Sequence, residues 1–327
     1  MDATEVPSPA EAPRQVEAWG ALLVVVSALC YSSLGIFGKV ALGEGMDLPS
    51  LLALRFSLAA MVLWSVVLLS PGARRSVTAA RARRAGLFWW GVFGLAGQAG
   101  LFFAALGRIS ASLSEVLLFT CPAFLALILW ARTGRRPGGM TVAAIGLALA
   151  GTWLVAAPAW EGASAIGVGF GLGAGLWFAS FMIWLDHASH GAGPLAPTLY
   201  IVSGAALTYA LVLPFTGGFT PPATPAAWGA MAGLVVSPTL VALPLYVLGL
   251  RRIGPQPTAI LSTFEPVGTL LLAYFFLEER LGAGQWLGAV LVLGAAFVLV
   301  VLGEPSGSAE PHVSEGALHI DPEPPPA

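Results

Sequence analysis

Apolar residues come in runs of about 20, separated by short breaks rich in Pro, Gly, Arg or Ser: 18–42, 48–70, 86–107, 111–131, 139–157, 163–185, 194–214, 226–250, 257–277 and 283–302. An α-helix of that length rises about 30 Å, the thickness of the hydrocarbon layer of a bilayer. A chain crossing hydrocarbon must satisfy its own backbone groups, and a helix does this within each segment. The pattern therefore predicts an all-α integral membrane protein with ten transmembrane helices. Segments 1–17 and 303–327 are rich in Pro, Glu, Ser and Ala and too poor in apolar residues to offset chain entropy, so disordered tails are expected there.

Composition agrees with a lipid setting. Of 327 residues, 57% are hydrophobic and only 10% charged, against about a quarter charged in soluble domains, and the mean hydropathy is +0.83. A net charge of -2 with no basic block interleaved with aromatics argues against a nucleic-acid partner. Cys30 and Cys121 both fall in apolar runs without metal-ligand spacing, so neither a metal nor a redox role is expected. The acidic start (Asp2, Glu5, Glu11, Glu17) is unlike a cleavable signal, so the first apolar run is read as a helix.

Cationic residues set the expected orientation, because Arg and Lys in short loops stay on the cytoplasmic side. With a cytoplasmic N-terminus, eleven of the fifteen fall inside: Arg14, five between Arg74 and Arg84, Arg132, Arg135, Arg136, Arg251 and Arg252. Only Lys39, Arg108 and Arg280 fall outside. Both termini are expected in the cytoplasm of a bacterial-type inner membrane.

The chain also resembles itself. Residues 101–127 lie on 245–271 without a gap, pairing Leu106 with Leu250, Arg108 with Arg252, Ile109 with Ile253, Leu117 with Leu261 and Pro122 with Pro266. Two five-helix halves follow, 18–157 and 163–302. Since five is odd, the second half enters the membrane from the opposite side, giving the inverted repeats of alternating-access carriers.

At these residues the chain resembles the drug/metabolite transporter superfamily, specifically its EamA-type ten-helix members. The likeness rests on Leu54-Arg55-Phe56, on Ile109-Ser110-Ala111-Ser112 leading to Pro122, on Glu265-Pro266, and on Glu278-Glu279-Arg280-Leu281 followed by Gln285-Trp286-Leu287-Gly288. It departs in the 132–138 loop, which lacks the Glu-Arg-Leu of the second half, and at Tyr31, where the family often carries tryptophan. The resemblance implies a secondary exporter of small organic metabolites such as amino acids or their analogues. Expected partners are the bilayer and a small-molecule substrate, with a proton as candidate coupling ion and a homodimer as candidate assembly. The first helix lacks the essential glutamate of the quaternary-ammonium exporters, which weakens the case for a drug exporter. A receptor or assembly protein of the membrane is the alternative, and the scarcity of polar loops argues against it.

No catalytic motif is present. Gly38-Lys39 lacks the rest of a phosphate loop, and neither a G-x-S-x-G elbow nor an H-E-x-x-H pair occurs, so no enzyme and no cofactor is expected. Asp186, His187 and His190 are read as a solvated loop lacking a fourth metal ligand.

The ionisable residues inside apolar runs carry the candidate chemistry. Glu265 lies about eight residues, or ~12 Å, from the cytoplasmic end of its run. Such a group costs ~2.5–3.5 kcal/mol at mid-membrane. It is either a substrate-amine or proton site or a structural carboxylate tied to a hydroxyl such as Ser262. Glu115 is expected nearer the outer headgroups, in a structural role. Arg55 is expected to snorkel outward or pair with Glu115, and Lys39 is read the same way. Pro122 and Pro266 remove amides at matching places, either to open a carrier site or as passive kinks; Pro238 and Pro244 are expected to break the eighth helix. Tyr31 and its repeat partner Trp177, with Gln98 and Tyr246, are candidates for aromatic walls and one amide around a central cavity, with plain packing as the alternative.

Overall fold

The computed structural model describes residues 11–106, 108–109, 111–155, 164–189, 193–276 and 282–298, and every regular element among them is helical. Glu278 to Leu281, Ser110, His190 and the tail 303–327 lie outside these residues, and of Lys39 and Ser112 only the backbone is described.

The first half runs α1 (Glu11–Tyr31), α2 (Ser33–Gly43), α3 (Leu48–Leu69), α4 (Pro71–Ala79), α5 (Arg84–Trp90), α6 (Ala96–Leu106), α7 (Ala111–Leu118), α8 (Cys121–Thr133) and α9 (Gly139–Val155). The second runs α10 (Ala165–Ser189), α11 (Leu195–Val212), α12 (Pro225–Val235), α13 (Leu243–Ile253), α14 (Pro255–Leu261), α15 (Phe264–Phe276) and α16 (Ala283–Phe297). α1 begins before the apolar run that starts at Ala18, and α10 runs on to Ser189, so Asp186 and His187 are helical rather than in a loop. Seven stretches are long and apolar enough to cross a membrane, from Glu17–Gly43 to Pro225–Ile253. Gly139–Val155 and Ala283–Ala295 are apolar but shorter. By this criterion the ten expected crossings are met for seven.

Helix ends follow local chemistry. The Asp47 carboxylate accepts from the Ser50 amide at 2.8 Å and starts α3, with proline in its first turn. Ser70 ends α3 and caps α4 through the Ala73 amide. Thr224 caps α12 the same way through Ala227. α8 stops at Gly134, whose φ of +68° is left-handed backbone that glycine adopts without a side-chain penalty.

Three apolar runs are interrupted. The first breaks at Ser32, whose hydroxyl lies within reach of its own helix at Ala28 O (3.0 Å) and of Glu265 O (2.8 Å); such back-bonding bends helices. The fourth breaks at Phe119–Thr120 and the ninth at Ser262–Thr263. Pro122 and Pro266 each fall in the first turn of the helix that follows, where a missing amide costs least. At both breaks a threonine hydroxyl donates to the carbonyl three residues back, Thr120 to Leu117 O and Thr263 to Ile260 O, each at 2.6 Å. Pro266 cannot donate to Ser262 O, so the Glu265 amide takes that carbonyl at 3.0 Å.

The eighth run does not break at its prolines. Between α12 and α13 it widens into a π-helical stretch, Val236–Ala242, that contains Pro238. A matching stretch, Gly91–Leu95, joins α5 to α6. The register that pairs Arg108 with Arg252 lays 91–95 on 235–239, so the two widened turns are repeat partners.

Packing follows the same exchange. A Cβ on Gly20 would lie 2.6 Å from the Ile253 side chain and 2.7 Å from that of Arg252; one on Gly167 would lie 2.7 Å from Ile109 and 2.9 Å from Arg108. Thus α1 packs on α13 as α10 packs on α6. The pairs α3 with α11 and α9 with α16 close the arrangement. α9 and α16 meet at Gly151 and Gly288, where only glycine permits the approach. Large apolar side chains such as Leu69 and Val290 are exposed and form the surface that meets lipid.

Candidate functional site

Between the two halves lies a cavity of about 110 Å³. Its walls come from both repeats in register. Leu95 and Thr239, Ala99 and Leu243, Phe102 and Tyr246, and Leu118 and Ser262 are repeat partners, and all eight line it. In three of the four pairs the first half supplies an apolar group and the second a hydroxyl. The ionisable groups break the symmetry too: Glu115 corresponds to Ala259, and Glu265 to Cys121.

Six of the sequence candidates meet here: Tyr31, Arg55, Gln98, Glu115, Tyr246 and Glu265. Arg55 was expected to snorkel outward; it is 6% exposed and faces the cavity. α3 is packed on both sides at this depth, so its stem has no path along a lipid-facing surface. Its Nε donates to Thr239 Oγ1 at 2.9 Å, and its guanidinium carbon lies 5.1 Å from the centre of the Phe56 ring. Thr239 in turn donates to Leu234 O, five residues back, at 3.1 Å. The π register opens that carbonyl, so the widened turn presents the hydroxyl that holds the arginine.

Glu115 was expected near the headgroups. It lines the cavity instead, beside α2, where a Cβ on Gly35 would lie 3.6 Å from its Oε1. Glu265 sits at the start of α15, just past the ninth-run break. Ser262 does not tie its carboxylate, because that hydroxyl donates to Thr258 O at 2.8 Å. The Glu265 backbone carbonyl is held by Ser32 and Thr269, which fixes the residue while leaving its carboxylate facing the cavity.

Tyr246 stacks on Phe178, ring centres 6.2 Å apart, and its hydroxyl is buried without a hydrogen-bond partner. A buried hydroxyl left unpaired costs about 1–3 kcal/mol, and this one lies at the cavity wall. Trp177 does not line the cavity. It is 42% exposed, and its indole N–H donates to Phe93 O at 3.2 Å and Gly94 O at 3.1 Å, carbonyls of the first-half π stretch. Its work is to hold that turn. Pro122 and Pro266 are buried outside the lining, in the first turn after each break. Gln256 ties the two broken runs together, its amide donating to Pro122 O at 3.0 Å.

Thr239 is the cavity residue that sequence reasoning missed. Its one signal was its place after Pro238. Phe102 was legible as the repeat partner of Tyr246.

An all-helical chain whose two repeats enclose a cavity lined, among the described residues, by Arg55, Glu115 and Glu265 matches a known group. The EamA-like transporter family matches twice, over residues 18–157 and 165–301. The chain belongs to this family. A Bacillus subtilis protein described as the uncharacterized transporter YcbK is 26% identical over 282 residues, covering 82% of this chain and 88% of its own. The uncharacterized inner membrane transporter YicL of Salmonella typhimurium is 24% identical over 294 residues, covering 86% and 94%. A solved crystal structure superposes with a TM-score of 0.72 at 20% identity, over 87% of this chain and 97% of the other, and so shares its fold. This EamA-family chain is accordingly a multi-pass membrane transporter.

Proposed function

We propose that the chain exports small organic metabolites of the amino-acid type by alternating access, with ten crossings arranged as two inverted five-helix repeats. The observation that carries this reading is the meeting of Arg55, Glu115 and Glu265 in one cavity between the halves. A zwitterion satisfies both signs at once: Arg55 takes the carboxylate and Glu265 the ammonium, while Tyr246 and Gln98 complete the hydrogen bonds. Phenylalanines 102, 119 and 178 supply the apolar wall that small-molecule sites require. Carboxylates in such a place earn their desolvation cost through ligand or proton binding.

A carboxylate that holds either the ammonium or a proton, but not both, couples the two fluxes, so the proton is the proposed coupling ion. The broken runs at Thr120 and Thr263 supply backbone at the cavity edge that shifts without breaking a helix ladder. The arginine asymmetry supports a cytoplasmic position for both termini. A cytoplasm-only reporter fused after Ala327 should be active and one inserted between Pro221 and Pro225 silent; the reverse would overturn the orientation.

The deciding experiment uses purified protein in proteoliposomes loaded with a mixture of amino acids. Loss of specific zwitterions faster than from protein-free vesicles, altered by an imposed pH gradient, is expected. Retention of every amino acid by vesicles holding folded protein would refute the substrate class, and movement indifferent to the gradient would refute the proton.

A further inference from the structure

The segment between α3 and α5 carries a concentration of positive charge away from the cavity. No acidic residue occurs from Leu48 to Ser114, yet five arginines fall between Arg74 and Arg84, all exposed. Arg83 turns inward to Ala188 O at 3.4 Å and belongs to the protein's own packing. Arg74 reaches back to Leu68 O at 2.6 Å, which fixes its guanidinium at the end of α3. Arg75, Arg81 and Arg84 lie on the same exposed stretch.

The position of this stretch decides its partner. It joins the candidate spans Leu48–Leu69 and Arg81–Ala105. On one side Leu68 and Leu69 are 64% and 85% exposed, and on the other Trp89 and Phe93 are 55% and 60% exposed. Apolar side chains so exposed at the ends of spans face lipid, so the arginines between them stand at headgroup level. The apolar side of α4 is already used, since Val77 and Ala80 are buried with Leu199 of α11. What remains outward is the cationic side, in a layer whose complementary groups are phosphates.

We propose that Arg74, Arg75, Arg81 and Arg84 form a docking surface for anionic phospholipid headgroups. Guanidinium groups suit phosphate because they present paired donors. The surface also has a place in the transporter, because α4 belongs to the first half and rests on α11 of the second. Lipid bound there steadies a contact between the halves.

The test places the full-length protein in nanodiscs of phosphatidylcholine with one quarter phosphatidylglycerol and measures the phosphatidylglycerol that co-purifies. Wild type should hold about twofold or more above the bulk ratio, as attraction of about 1 kcal/mol per surface arginine allows. The variant R74Q/R75Q/R81Q/R84Q should return to the bulk ratio, while R132Q/R135Q/R136Q, which neutralises the other exposed arginine group, should keep the enrichment. Equal loss in both variants would overturn the site in favour of a diffuse field, and no enrichment in wild type would overturn it outright. Should the fourfold variant fail to fold, wild type and R75Q/R81Q decide: wild-type enrichment must fall between about 0.05 and 0.5 M salt and be smaller in the double variant. Added inorganic phosphate at millimolar level should leave the enrichment in place; its loss would assign the arginines to free phosphate instead.

Discussion

Arg55 Nε and Thr239 Oγ1 meet at 2.9 Å across 184 residues of sequence, joining α3 of the first half to the widened turn of the second. Thr239 donates to the i-5 carbonyl that this turn makes available, which leaves its oxygen to accept from the guanidinium. The Arg55 guanidinium is therefore oriented by a distortion in the opposite repeat, which ties the charge to the relative position of the halves.

Breaking that tie should show in both stability and transport. Thr239→Val keeps the volume and removes the acceptor, leaving a buried guanidinium short of a bond, at a cost of about 1.5–3 kcal/mol. Thermal unfolding in detergent should fall accordingly, and transport should weaken more than in Thr239→Ser, which retains the hydroxyl. Equal transport by the two variants would show that Thr239 does not position Arg55.

Glu265 should carry function more than fold. Its carboxylate is not held by Ser262, so Glu265→Gln should express and melt like wild type while losing transport or its pH dependence, because an amide does not titrate. The same change at Glu115 should have the smaller effect. Normal transport at every pH by Glu265→Gln would rule the residue out as the coupling group.

Gly175 sits against the fourth-run break, where a Cβ would lie 2.8 Å from both Leu117 O and Thr120 Oγ1. Gly175→Ala should destabilise by about 1–3 kcal/mol through overpacking. Gly146→Ala, on α9 with open space around it, should be neutral or stabilising, since alanine favours helix. Paired melting curves check both; equal shifts would mean the break tolerates displacement.

The N-terminal end of α3 gives a pH signature outside the spanning segment. Partial burial pushes the Asp47 carboxyl up, but bonds from the Thr220 side chain, the Ser50 amide and the Ser50 hydroxyl outweigh it and hold it below the usual carboxylate value. A lowered folded pKa means stability present above the unfolded value of about 3.9 and lost as pH falls through the folded one. Asp47→Asn should therefore melt below wild type near neutral pH, with the gap narrowing below about pH 4. A gap unchanged by pH would place the effect elsewhere.

The sequence by itself determined the all-helical membrane class, the two repeats and the matching places of Pro122 and Pro266. These depend on local properties: run length against bilayer thickness, amides that proline lacks, and a register visible where Arg108 falls on Arg252. It also drew attention to Glu265 and Arg55, because any ionisable group in an apolar run demands an account. Only the tertiary structure decided where such groups point. Arg55 reads as a snorkelling residue until α3 is seen packed on both sides, and Glu115 reads as a headgroup contact until α2 lies beside it. Trp177 and Tyr31 are sequence partners with different fates, since the indole finds the carbonyls of a π turn that no residue pattern announces. The widened turns themselves trade one ladder register for another with the same side chains, so their presence, and the Thr239 hydroxyl they expose, is settled by what packs against them.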